Sequence, residues 1–261
     1  MQFSTNARIF CVLISRNLFL FSRQLKSTLT DCIPPLFTQI ITFGYLFPLI
    51  GMPSSMIAPI YLGSMLTLFL QLGYAMVMKT GFDLHYNRFI DYHITLPISK
   101  RWLFGSYIIN HMLEVLLITL PLYTIGILVL HKQFDIAHIN VYALTLMYLF
   151  ILTFFSTFFL AISYTATVHW IMDNVWPRIL VPLWWFSSAL VTWKKIFAWS
   201  PSISYIMLFS PITYIAEGMR SALLGTDQFI GWHYCILILC GFIVLNVIAL
   251  NYGIKRKLDP V

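Results

Sequence analysis

The chain has 261 residues, of which 59% are hydrophobic and only 10% charged, and its mean hydropathy is +0.82. Roughly 25% charged residues would be usual for a soluble domain, so a soluble enzyme or binding module is excluded and a polytopic membrane protein is left. The net charge of +7 does not indicate a nucleic-acid partner, because the 16 lysines and arginines are scattered between apolar runs and form no continuous stripe.

Residues 3–28 carry Arg8, Ser15, Arg16, Ser22, Arg23 and Lys26 on one side of a helical winding, which reads as an interfacial helix. A signal peptide is the competing reading. Its apolar core would be only Ile9 to Ile14, with no small-residue cleavage site behind it. The first span is expected over about 31–50 and the second over about 58–78. The longest polar interval, Lys79 to Arg101, follows. A third span over about 102–130 contains Asn110, His111 and Glu114, and a fourth is expected over about 139–164. A fifth is expected over about 175–192, ending at Trp193-Lys194-Lys195, and the last over about 233–254, ending at Lys255-Arg256-Lys257. The fold class is therefore an all-α membrane protein with six transmembrane helices.

Between the fifth and last spans lies Ser210-Pro211 through Tyr214, Glu217, Arg220 and Gly225. Serine suits an N-cap, proline the first helical position and glycine the residue after the helix, so a helix of about 14 residues is defined locally. At about 1.5 Å per residue it reaches roughly 21 Å, short of a hydrocarbon core of about 30 Å. A re-entrant segment over 196–226 is expected. With six spans, twelve basic residues fall on the side of both termini and four (Lys132, Lys194, Lys195 and Arg220) on the other, which makes the termini cytoplasmic.

Chemistry-bearing patterns are few. There is no G-x-x-x-x-G-K-S/T loop to cradle nucleotide phosphates, no H-E-x-x-H and no G-x-S-x-G, so the chain reads as a non-enzyme. Asp83-Leu84-His85 and Asp91-Tyr92-His93 repeat a D-x-H pattern; residues two apart diverge on a helix, and a solvated helix is preferred to a metal site. The four cysteines form no C-x-x-C pair. His111 and Glu114 share a face of the third span, where ionisable groups are costly and are functional candidates by default. They read either as part of a substrate path or as a helix-locking pair. Trp184 and Trp185 lie deeper than the interfacial tryptophans and read as lining a path or as packing. Glu217 and Arg220, three apart, are expected to pair with each other.

Two stretches carry a family resemblance. Ser210-Pro211-Ile212-Thr213-Tyr214 with Glu217, Arg220 and Gly225 resembles the N-P-L/I-T-Y…E-x-x-R…G segment of the ABC-2 type permeases, the membrane subunits of ABC exporters. Arg88-Phe89-Ile90-Asp91 followed by Thr95-Leu96-Pro97-Ile98-Ser99 resembles their cytosolic segment after the second span. The departures are Ser210 for asparagine, Asp91 for glutamate and a polar His93 where the family is commonly apolar. The resemblance implies a dimer of permeases in a bacterial plasma membrane, with ATP and magnesium held by separate ATPase subunits and no cofactor on this chain. It also implies that 82–99, with Arg88, Asp91, Thr95 and Pro97, docks on the ATPase, and that 196–226 faces outward. The Thr-Leu-Pro-Ile-Ser run leans to the drug-type branch over the polysaccharide type. Two other function classes stay open: a secondary transporter coupled to protons through Glu114 and His111, and an intramembrane enzyme acting on lipid, for which no nucleophile and base are grouped.

Overall fold

The computed structural model describes residues 2–87, 92–93, 95, 97–134 and 139–258. Among them every regular element is helical. In a bilayer this is the expected economy, since a helix satisfies its own backbone hydrogen bonds. We number the helices α1 (Gln2–Ile41), α2 (Ser54–Ser64), α3 (Leu66–Phe82), α4 (Lys100–Val129), α5 (Val141–Thr165), α6 (Val168–Asn174), α7 (Val181–Trp185), α8 (Trp193–Trp199), α9 (Pro201–Met207), α10 (Pro211–Leu224) and α11 (Trp232–Leu258).

Among the described residues five stretches are long and apolar enough to cross a membrane: Asn6–Leu49, Ser55–Tyr86, Lys100–Val129, Val141–Thr165 and Trp232–Lys257. They correspond to the first, second, third, fourth and last expected spans. The first differs from expectation in having no break between the amphipathic N-terminal part and the span, because α1 continues through Pro34 and Pro35. The second is α2 and α3 joined at Met65, extended by a wide π-helical turn over Asp83–Asn87.

The expected span over about 175–192 is not one of the five. In its place α6 leads through a π-helical turn, Val175–Leu180, into α7, and the helix stops at Trp185. Pro177 and Pro182 have no N–H to offer the carbonyls four residues back, so the α-helical ladder cannot run through them unbroken. Residues 186–192 are unwound, and Ser187, Ser188 and Ala189 are buried. Unwound backbone at such depth is tolerated only where protein supplies the missing partners.

The core lies around α5, which packs against α11, α3, α10 and α4. Its phenylalanines fill this contact: Phe155 stacks on Phe69 of α3 at 5.4 Å between centroids, and Phe154 meets Phe242 of α11 edge to face at 6.4 Å. Such pairs add about 0.5–1.5 kcal/mol each beyond area burial. α1 lies along α4. That leaves a gap between α1, α3 and α4, described below.

Candidate functional site

α10 spans Pro211–Leu224, and all of its residues but the last are buried. Pro211 takes the first helical position, as its fixed φ favours, and Gly225 follows the helix with φ of 92°, a backbone region that disfavours a Cβ. The Ser210 side chain does not cap the helix. Its hydroxyl instead donates to the carbonyl of Leu183 at 3.0 Å, tying the start of α10 to the end of the broken helix. Tyr214 donates to the Leu208 carbonyl at 2.8 Å and Thr213 to that of Met207 at 2.6 Å, so the tight turn between α9 and α10 is pinned from inside.

Glu217 and Arg220 are both fully buried and form the expected pair at 3.0 Å. Their role is wider than neutralising each other. Arg220 Nε donates to the Pro59 carbonyl at 2.8 Å, Nη1 to Ser188 at 2.6 Å, and Nη2 to Ala189. The guanidinium thus supplies donors to the two carbonyls that the unwound segment would otherwise bury unpaired. Glu217 works in the opposite sense: one oxygen accepts from the Trp193 N–H at 3.0 Å, and the other from the Ile230 N–H at 3.2 Å. Ser221 accepts from the Trp232 N–H at 3.0 Å. Arg220 and Glu217 therefore join α2, the unwound 186–192 stretch, the start of α8 and the approach to α11. A planar five-donor guanidinium is the side chain suited to such a joint.

The second feature is a cleft of about 300 Å³ between α1, α3 and α4. Its walls carry Arg16 and Asn17 from α1, Lys79 and Thr80 from α3 with Asp83 just after it, and Tyr107, Asn110, His111 and Glu114 from α4. A smaller hollow of about 110 Å³ adjoins it, shares Met76, Lys79, His111 and Glu114, and is otherwise mostly apolar, with Phe21, Leu72, Val115 and Ile118. Asn110 and His111 are each 4% exposed. Among the described residues neither the Asn110 amide nor either His111 ring nitrogen has a hydrogen-bond partner. An orphaned buried polar group costs about 1–3 kcal/mol, so their facing a cavity needs a reason.

His93 closes the polar end. Arg16 Nη1 donates to its Nε2 at 2.7 Å, and its Nδ1 lies 2.5 Å from the Tyr107 hydroxyl. Arginine can only donate, so Nε2 is the acceptor and Nδ1 carries the proton. Burial first, and then the adjacent Arg16 guanidinium, lower the His93 pKa from its ordinary value, which favours this neutral tautomer. The polar interval after the second span is in this way tied at once to α1 and to α4.

A family model for the ABC-2 type transporter matches residues 8–224. The chain belongs to the ABC-2 type transporter family. It is an integral membrane protein and the membrane component of an ABC transporter, not itself catalytic. Neither the curated proteins nor the solved structures offer a match.

In this ABC-2 permease the expected site residues fall into separate places. Pro211, Tyr214, Glu217, Arg220 and Gly225 belong to the α10 joint. His111 and Glu114 line the cleft. Trp184 and Trp185 do not; Trp184 packs on the core and Trp185 is exposed. Thr95 and Pro97 are exposed, and the Thr95 hydroxyl donates to the Tyr92 carbonyl at 2.7 Å. Arg88 and Asp91 lie outside the described residues. His85 Nδ1 lies 3.1 Å from the Gly81 carbonyl of its own helical run.

Sequence reasoning missed Gly63, which lets the 186–192 backbone and Arg220 approach α2. It missed Lys257, whose ammonium donates to the Ser163 and Ala166 carbonyls at the end of α5, at 3.1 and 2.7 Å. It also used Arg16 only for the polar face of the interfacial helix and for membrane sidedness, and Lys79 only for the end of a span and for sidedness. The one signal for them in the sequence is their helical spacing from the apolar face.

Proposed function

We propose that the chain is the permease half of an ATP-driven exporter, working with separate ABC ATPase subunits that hold ATP and magnesium, and moving an amphipathic or lipid-linked substrate. It works as a dimer of identical chains in a bacterial plasma membrane with both termini cytoplasmic. The broken helix over 168–185 makes the fifth crossing, and 196–226 enters the membrane and returns on the outer side. The drug-type branch is favoured by the Thr95 to Ser99 run.

The observation that carries this reading is the His93 junction. Work done by closing ATPases on residues 82–99 reaches the membrane only through a stiff contact. Arg16–His93–Tyr107 is such a contact, and it ends on two of the three cleft walls. Displacing the cytosolic segment would shift α1 against α4 and change the cleft, with His111 and Glu114 on the path the substrate takes. Arg88 and Asp91 are the charged docking residues, and Thr95 and Pro97 shape the turn beside them.

Reversing both charges, Arg88→Glu with Asp91→Arg, should reduce ATP-driven export in membrane vesicles to background while membrane insertion and the elution profile of the purified protein stay unchanged. Export at the level of the unsubstituted protein would remove residues 82–99 from the coupling route. A second reading, proton-coupled transport through Glu114 and His111, is favoured by their common position in one cleft. It differs in requiring that transport survive loss of the ATPase and collapse with the proton gradient.

A further inference from the structure

We infer that the cleft between α1, α3 and α4 is a binding site for a zwitterionic lipid headgroup, a primary ammonium joined to a phosphate. This deepens the proposed function and rests on its reading of the cleft as a place where an amphiphile binds.

The first argument is charge. Glu114 stands on the α4 wall and Lys79 on the α3 wall of the same space. Their charges attract each other across the space, but among the described residues neither makes a direct ion pair or a hydrogen bond with a side chain or with the backbone, although both border the cleft. An anionic amphiphile would answer Lys79 and Arg16 but set its charge against Glu114 and Asp83, which lines the same cleft. A cationic one would reverse the conflict, and an uncharged glycan would answer neither. A headgroup carrying both signs satisfies both walls, its phosphate towards Lys79 and its ammonium towards Glu114.

The second argument is the pair of orphaned groups. Asn110 and His111, each 4% exposed and without partners, sit between the charged walls. An amide and an imidazole offer donors and acceptors together, which suits phosphate oxygens and ammonium hydrogens at once. The third is the gradient of polarity. The space is polar at the His93 end and becomes apolar towards Leu72 and Ile118. An amphiphile lying with its headgroup on the polar floor and its acyl chains towards the apolar end matches this order, and its volume is within the range of ligand sites.

The test is native mass spectrometry of the full-length purified chain in detergent, titrated with phosphatidylethanolamine or with phosphatidylglycerol, which has the phosphate but no ammonium. Phosphatidylethanolamine should bind at least about tenfold tighter, as a charge-assisted contact requires. Glu114→Gln should bring the two lipids to within about twofold, and Lys79→Gln should weaken both by about tenfold. Lys79 is exposed, so its variant serves if Glu114→Gln fails to stay monodisperse. Displacement by water-soluble phosphoethanolamine would support a site for the free headgroup, and resistance to it a site for the membrane lipid. Equal binding of the two lipids by the unsubstituted chain, a preference unchanged in Glu114→Gln, or affinities for both lipids unchanged in Lys79→Gln, would overturn the inference. The measurement uses no ATPase and no gradient, so a failure of the coupling scheme leaves it intact.

Discussion

Arg220→Ala should leave the protein unable to hold its folded membrane structure, seen as loss of the monodisperse peak when detergent extracts are run on a sizing column. Breaking a buried pair by removing one partner costs about 3–5 kcal/mol, a large part of an ordinary folding free energy. Here the loss is compounded, because the carbonyls of Pro59, Ser188 and Ala189 lose their donor together with Glu217. A double variant makes the argument sharper. If the two charges served only each other, replacing both with methionine would be nearly neutral or stabilising. The joint predicts the opposite: Glu217→Met with Arg220→Met orphans the Ser188 and Ala189 carbonyls and the N–H groups of Trp193 and Ile230, and removes the added donor from the Pro59 carbonyl, and should be no better than Arg220→Ala. Glu217→Gln keeps a carbonyl oxygen in place and should be milder. A double methionine variant that melts like the unsubstituted protein would refute the joint.

Gly63→Ala should damage the same joint from the other side. A Cβ at Gly63 would fall 1.6 Å from the Ala189 carbonyl oxygen and 2.5 Å from Arg220 Nη2. The first of these is backbone and cannot rotate away, so either α2 or the unwound segment must move and the guanidinium loses its seat. Overpacking of this kind costs typically about 1–3 kcal/mol, and the severity of the overlap places Gly63→Ala at or above the top of that range. Gly241 in α11 is the control, since nothing lies within 4 Å of a Cβ there. Melting of the two variants in detergent, followed by tryptophan fluorescence, should show a large fall for Gly63→Ala and none for Gly241→Ala. Equal melting would mean that the close approach of α2 to residues 188–189 is not needed.

These two positions also show where sequence reading stops. The bounds of α10 were legible because proline at its first position and glycine after its end are local signals, and the Glu217–Arg220 pair because residues three apart share a face. The long spans were legible from apolar length alone. The partners of Arg220 were not: they are carbonyls of residues 59, 188 and 189, and backbone atoms leave no mark in a sequence. Gly63 was equally silent, one small residue in an apolar helix. The fifth expected span is not one continuous helix, because its mean apolarity hid Pro177 and Pro182, which break the ladder, and Ser187-Ser188, which settle into the joint. In the cleft, Glu114 and His111 stood out because burying them is costly. Arg16 and Lys79 did not, since a basic residue near the end of a span is already explained by membrane sidedness. Only three helices packed together bring these four to one cleft.

If this ABC-2 permease moves its substrate with work done by another chain, nucleotide hydrolysis must belong to that other chain. The most direct measurement is nucleotide hydrolysis by the tagged protein isolated from its native membrane, before and after any co-isolated subunits are stripped away. Hydrolysis should accompany an ABC ATPase that comes with the permease and vanish when that subunit is removed. Hydrolysis retained by the stripped chain, or transport that continues with no ATPase bound, would show that the work is not done by a separate ATPase.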